Sequence, residues 1–424
     1  MWVLILNIFL YSFTCFYYYK RDKSFSLNVL IFALFSLFAL SGYITIIDGT
    51  FFRQFGSSNT ENIQLFPYLA NFMLILALTQ SMSGMKRISI SKDIKRINNR
   101  LLTFVEYLTI IVAVIQIFMQ YQVSLLLSAL DYSDIYDAAH HGERLFTLPS
   151  QLENILYYRS QQLINIFYPF IYLIEFSKIS LNINPRKSII IILLIFFPQI
   201  VGCIMMANRG GIIFTTASLM FFIISFWNCF TDNFKHLVRF GGIGFVIIVI
   251  SFLIAISVSR SGNNTDASND ALRYFGEAFP NLGLRVWEAS DRYIMGARTF
   301  PTIYSFFAPL PYVVDEGNAG IHEFWGYYSG FPIINFKTFY GDLYCEWGPI
   351  LPFFLVGIYI YITYLMRNKL KNTIFSLVIV FNTFMMLIWG IFNANKFEET
   401  SMESFLYSFI IAYILNRVLR KRKA

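Results

Sequence analysis

SIIIILLIFFPQIVGCIMMA, residues 188–207, carries no formal charge and is preceded directly by Arg186 and Lys187. An α-helix rises about 1.5 Å per residue, so this stretch reaches about 30 Å, the thickness of a bilayer's hydrocarbon layer. A surface helix of a soluble domain needs only one apolar stripe, whereas here every face is apolar. The segment therefore reads as a transmembrane helix with its basic start held at the inner surface.

Runs of the same kind recur along the chain, near 1–19, 25–47, 66–84, 101–123, 162–181, 188–207, 211–230, 240–259, 346–366, 373–392 and 405–418. In lipid a backbone must satisfy its own hydrogen bonds, so apolar runs of this length are helices. The predicted fold is all-α and polytopic, a single membrane domain over residues 1–424 with about eleven spans. Composition agrees, with 56% hydrophobic and 14% charged residues and a mean hydropathy of +0.56. The first run lacks a basic start and a small-residue cleavage site, so it reads as a retained helix rather than a signal peptide.

Orientation follows from the basic residues, which cytoplasmic connections retain. They cluster after every odd-numbered run, at Lys20 to Lys23, Lys86 to Arg100, Arg186 and Lys187, Lys235 and Arg239, Arg367 to Lys371, and Arg417 to Lys423. About 22 of the 33 Lys and Arg fall on that side with about 5 of the 25 acids, so the net +8 divides into about +17 inside and −9 outside. This predicts an outer N-terminus and a cytoplasmic C-terminus. The basic balance orients the chain and is no sign of nucleic-acid binding. The four cysteines show no paired spacing, and there is no nucleotide-binding glycine motif.

One connection departs from the rest. Arg260 to Cys345, between the eighth and ninth runs, is long, polar and on the outer face. Within it, Thr299 to Val314 is apolar but broken by three prolines, which suits an interfacial piece better than a span. An outer loop without nucleotide machinery must act on a substrate already activated and delivered in the membrane, and a lipid diphosphate is the obvious donor. Arginine matches phosphate oxygens bidentately and stays charged. The loop supplies Arg285, Arg292 and Arg298 among others, and Arg209 lies in the turn Asn208-Arg209-Gly210-Gly211. Snorkelling at a helix end explains Arg209 equally well, and ion pairing with Glu277 or Glu288 explains loop arginines. Trp287 and Trp325, flanked by charge, are candidate sugar platforms, although interface belts also use such rings. For a general base, His322, Glu323, Glu277 and Asp342 all have suitable chemistry. The cluster Asp131, Asp134, Asp137, His140, His141 and Glu143 matches no metal-ligand pattern and reads as a solvated acidic face. No metal or cofactor is expected.

The segment NFKTFYGDLYCEWG, 335–348, runs straight into an apolar span. It resembles the signature of bacterial oligosaccharide repeat-unit polymerases, the O-antigen and exopolysaccharide polymerases of the polyprenol-dependent pathway. Thr338, Gly341 and Glu346-Trp347-Gly348 carry the resemblance, with Glu346 standing where an Asp is more usual. The Asn208-Arg209-Gly210 turn, the Gly296 to Phe300 stretch and the single large outer loop are also similar. The resemblance implies a metal-independent glycosyltransferase that moves a growing glycan from undecaprenyl diphosphate onto a lipid-linked repeat unit. It implies that Arg209, Arg285, Arg292 and Arg298 hold the diphosphate, that His322, Glu323, Asp342 or Glu277 acts as base, and that Trp287, Trp325 and Thr338 meet sugar. Its implied partners are the lipid-linked oligosaccharide, the bilayer, and the chain-length regulator and flippase of the same pathway. An O-antigen ligase shares this layout. A flippase or transporter needs ionisable groups at mid-membrane depth, whereas Glu106 and Glu175 fall near the inner ends of their runs. A membrane acyltransferase would carry an intramembrane His, and no apolar run contains one.

Overall fold

The computed structural model describes residues 1–56, 63–82, 99–128, 134–135, 146–206, 208–261, 272–287, 293, 295–297, 304–308, 336–370, 373–394 and 399–418. They form helices α1 (Trp2–Asp22), α2 (Leu27–Ile47), α3 (Thr50–Phe55), α4 (Phe66–Ser81), α5 (Asn99–Leu127), α6 (Gln151–Ser180) and α7 (Pro185–Met205). These are followed by α8 (Arg209–Phe226), α9 (Asp232–Ser261), α10 (Ala278–Asn281), α11 (Thr338–Trp347), α12 (Leu351–Lys369), α13 (Ser376–Trp389) and α14 (Glu399–Val418). No strand occurs among the described residues.

Among the described residues, eight helices are long and apolar enough to cross a membrane: Trp2–Asp22, Leu27–Ile47, Thr103–Leu127, Gln151–Ser180, Pro185–Met205, Arg209–Cys229, Asp232–Ile256 and Leu351–Lys369. Phe66–Ser81, Ser376–Trp389 and Phe405–Arg417 are shorter apolar helices. The chain is an all-α polytopic membrane protein. Several helices outrun their apolar cores because polar ends cap them. A reciprocal box starts α6, in which the Glu153 amide donates to Ser150 Oγ at 3.2 Å and the Ser150 amide to Glu153 Oε2 at 3.0 Å. It begins eleven residues before the apolar run it contains. The polar start of α9 likewise brings exposed His236 into a helix, one turn from its end.

By packing, the chain divides into two compact units. The first comprises Met1–Ser83, Asn264–Leu365 and Thr383–Phe405. Its centre is aromatic: Tyr11 stacks on Phe35 at 5.2 Å, and Tyr18 on Phe32 at 5.4 Å. Asn71 of α4 donates from Nδ2 to the Tyr11 hydroxyl and accepts the Tyr340 amide at Oδ1, so one buried side chain links α1, α4 and α11. The outer faces keep rings such as Phe9 and Phe13 exposed, as a lipid-facing surface requires.

The second unit comprises Gly84–Asn263, Met366–Asn382 and Leu406–Ala424. Phe222 stacks on Phe381 at 5.3 Å and lies parallel to Phe176 at 6.1 Å. Four of its charges, at the junction of α5, α6 and α7, compensate one another. Lys178 pairs with Glu106 and, at 3.3 Å, with Glu175, while Lys187 reaches Glu106 at 2.5 Å. Two carboxylates and two ammoniums thus form a neutral group joining α5, α6 and α7, which suits buried charge that must not remain unpaired.

Candidate functional site

The interval from Arg260 to Cys345 contains regular structure among its described residues. Residues 272–287 are helical: a first turn, then α10, then a π turn over Leu282–Val286 that carries Arg285. The signature segment is helical too, as α11. Both sit in the first unit beside the end of α2 and the start of α4. Gly42 and Gly276 allow this approach: a Cβ on Gly42 would lie 2.8 Å from the Gly276 carbonyl oxygen, and one on Gly276 2.8 Å from that of Ser41. The Tyr68 hydroxyl donates to the Phe279 carbonyl at 2.9 Å, and Ser41 Oγ to that of Leu272 at 3.3 Å, satisfying backbone that would otherwise be buried bare.

The two pieces are tied to each other through Glu277 and Asn281. Glu277, 7% exposed, accepts the Phe336 amide at 3.1 Å, and Asn281 Nδ2 donates to the Phe336 carbonyl at 2.8 Å. Arg273 Nε lies 3.8 Å from the other Glu277 oxygen. Arg285 is half-buried; desolvation lowers its guanidinium pKa below the ordinary value, and the Glu277 charge acts in the opposite direction. The result is a cation held by the fold in a partly dry setting, where an anion is attracted more strongly than in water.

Asp342 has a different part. Its Oδ1 lies 3.1 Å from Lys337 Nζ, and its Oδ2 accepts the Ala394 amide at 2.8 Å. Both side chains are buried, at 0% and 2% exposure. Thr338 begins α11 with φ of 68°, a left-handed backbone that costs a β-branched residue energy. The strain is held by three bonds to the turn after α13: the amides of Lys337 and Thr338 to the Phe392 carbonyl, both at 2.9 Å, and that of Phe339 to Gly390 at 2.7 Å. Asp342 and Thr338 therefore fix the start of α11 against residues 390–394. Both carboxylate oxygens of Asp342 are thus engaged by protein, one by the Lys337 ammonium and one by the Ala394 amide.

Trp287 is also engaged. Its indole stacks on Tyr344 at 4.6 Å and donates to Gln64 Oε1 at 2.8 Å, so one ring face is occupied by protein. Burial, and then the neighbouring Tyr293 phenol, raises the pKa of Tyr344.

The structure thus brings Glu277, Arg285, Trp287, Thr338 and Asp342 together in the first unit. Arg209 belongs to the second. It is the buried first residue of α8 rather than part of a turn, and Asn208 caps the helix by accepting the Gly211 amide at 2.8 Å. Gly211 packs closely on α7, since a Cβ there would meet Cys203 Sγ unless that thiol turned away. His322, Glu323, Trp325, Arg292 and Arg298 lie outside the described residues, as do most of the acidic cluster around exposed Asp134 and most of Thr299 to Val314. No group of three or more metal-ligating side chains occurs among the described residues. Lys337 and Asn71 are the contributors that sequence reasoning misses. A lysine five residues before the aspartate, in an otherwise largely apolar segment, is the signal that could have found the first.

Fold and site together define a polytopic α-helical membrane protein with a cluster of paired charges and aromatic rings beside the ends of its first helices. No family model, curated protein or solved structure matches the chain.

Proposed function

We infer that this chain is a membrane glycosyltransferase that joins undecaprenyl diphosphate-linked oligosaccharide repeat units into O-antigen, capsule or exopolysaccharide at the outer face of the cytoplasmic membrane. The observation that carries the reading is the packing of the signature helix α11 against the Arg285 segment, which unites two distant parts of the outer interval. The N-terminus is outside and the C-terminus cytoplasmic, on the strength of the +17 and −9 charge split.

In this reading a hydroxyl of the acceptor sugar attacks the anomeric carbon of the donor glycan. The bond from that carbon to the diphosphate oxygen breaks, and undecaprenyl diphosphate departs with the electron pair. Arg285, with Arg292 and Arg298, compensates the charge that grows on the diphosphate, and Arg209 at the start of α8 is a separate candidate diphosphate contact. His322 or Glu323 receives the hydroxyl proton. Glu277, engaged with the Phe336 amide and Arg273, serves to position Arg285 rather than as base.

Deleting the protein from its native host is expected to leave surface glycan capped with a single repeat unit. Complete loss of transferred glycan would point to a ligase or flippase, and an unchanged length profile would overturn the polysaccharide reading. Arg209→Ala and Arg298→Ala are each expected to abolish polymer at normal protein levels; full polymer from either removes that residue from the site.

A further inference from the structure

The second unit holds a cavity of about 250 Å³ between α5, α6, α7 and α8 that the reading above does not use. Gln116 and Gln120 line it from α5, Gln161 and Asn165 from α6, Gln199 from α7 and Thr215 from α8. None of its lining residues is acidic, basic or His. Counted at about 1.5 Å per residue, Gln116 is about 16 Å from the Leu127 end of α5 and Gln161 about 15 Å from the start of α6. Gln199 and Thr215 are about 9 Å from the ends of α7 and α8 that flank Arg209. The polar lining therefore reaches well into the apolar length of these helices.

Amides at that depth are costly unless something meets them. Some are met by protein: Gln120 Nε2 donates to the Pro198 carbonyl at 2.7 Å. Others are not. Gln116 is 1% exposed; Ser160 Oγ binds one end of its amide at 2.5 Å, while its Nε2 is buried without a partner. Gln199 Nε2 is likewise buried and unpaired. A cavity of this volume far exceeds the about 10–15 Å³ that one water needs. Side-chain amides donate and accept, as sugar hydroxyls and acetamido groups do. An uncharged lining in a low-dielectric setting penalises a ligand that brings a charge without a counter-ion.

We propose that this cavity is a binding site for a neutral sugar ring, hydroxyl- or acetamido-bearing, and that it discriminates against acidic sugars. The assignment of that ring to the lipid-linked glycan rests on the polymerase reading; the binding itself does not. Gln116 and Gln199 supply free donors to the ring, and Arg209, next in sequence to the lining residue Asn208, stands at the start of α8 beside the cavity.

The test uses full-length protein in nanodiscs and the lining thiol Cys203 as reporter. A small methanethiosulfonate reagent is applied with methyl glucoside, methyl N-acetylglucosaminide or methyl glucuronide, and the Cys203 peptide is quantified by mass spectrometry. At least one neutral glycoside is expected to slow modification fivefold or more in a saturable way, and the glucuronide is expected not to. Saturation-transfer NMR should show that glycoside binding at least tenfold weaker in Gln116→Leu and Gln199→Leu, and unchanged in Gln80→Leu, which lies in the other unit. Lack of protection by both neutral glycosides, equal protection by the glucuronide, or a Cys203 that never reacts would each overturn the proposal. Because the readout is binding, its failure is distinct from a failure of the polymer-length assay.

Discussion

The Lys337–Asp342 pair and the Gln116 cavity both place polar groups among apolar helices, and the two regions treat them in opposite ways. Around Asp342 each carboxylate oxygen has a partner, one a lysine and one a backbone amide. Around Gln116 amide hydrogens are left over. A saturated polar cluster fixes geometry and has little capacity for a ligand, whereas an unsaturated one has capacity and lends its own fold little support. The contrast separates a scaffold that holds the signature helix from a space in the other unit that is fit to be occupied.

The sharpest way to break this comparison is Lys337→Ala. It leaves Asp342 buried with an uncompensated charge, and such losses cost about 3–5 kcal/mol. Unfolding in detergent, followed by heat or denaturant, should show the largest fall of any variant considered. Replacing both partners, Lys337→Met with Asp342→Leu, should recover most of it, since a buried pair and a well-packed apolar pair are often close in stability. A Lys337→Ala protein with wild-type stability would mean that the pair is not what holds α11.

Asn71→Leu comes next. It strands the Tyr11 hydroxyl and the Tyr340 amide inside the first unit, for about 1–3 kcal/mol by the same measurement. Gln116→Leu marks the other side of the contrast. It gives up the bond to Ser160 but removes an amide end that has no partner, so stability should change by less than about 1 kcal/mol. A cost as large as that of Asn71→Leu would show that the cavity amides are structural after all.

Much of this was legible in the chain, because a transmembrane helix is written in uninterrupted apolar length. The runs at 25–47 and 188–207 coincide with α2 and α7 to within about three residues, the ordinary uncertainty of helix ends. Helix starts set by capping were harder to see, as the Ser150–Glu153 box of α6 shows. Site residues were legible as chemistry and not as partners: Asp342 reads as a carboxylate of suitable chemistry, and no local pattern says that Lys337, five residues earlier, is buried with it as an ion pair. The cavity did leave a trace. Gln116 and Gln120, like Gln161 and Asn165, are four residues apart on one face of an apolar helix, the spacing at which lone polar residues in a span signal a shared polar surface.

The smallest expected effect concerns pH and the saturated region. Burial, with Tyr293 beside it, holds the Tyr344 phenol above the ordinary tyrosine value of about 10. In the unfolded chain the same phenol ionises near that value, so above it the folded state binds more protons than the unfolded one and stability falls with pH. The contribution is complete below about pH 10 and is lost progressively above it. Tyr344→Phe removes the titrating group and keeps the ring that stacks on Trp287. Between pH 9 and pH 11 the variant should therefore lose stability less steeply than the wild type, by under about 1 kcal/mol per pH unit once solvent screening is allowed for. Parallel slopes would mean that the phenol meets water freely, and that the aromatic wall beside α11 is looser than the ionic clasp at its start.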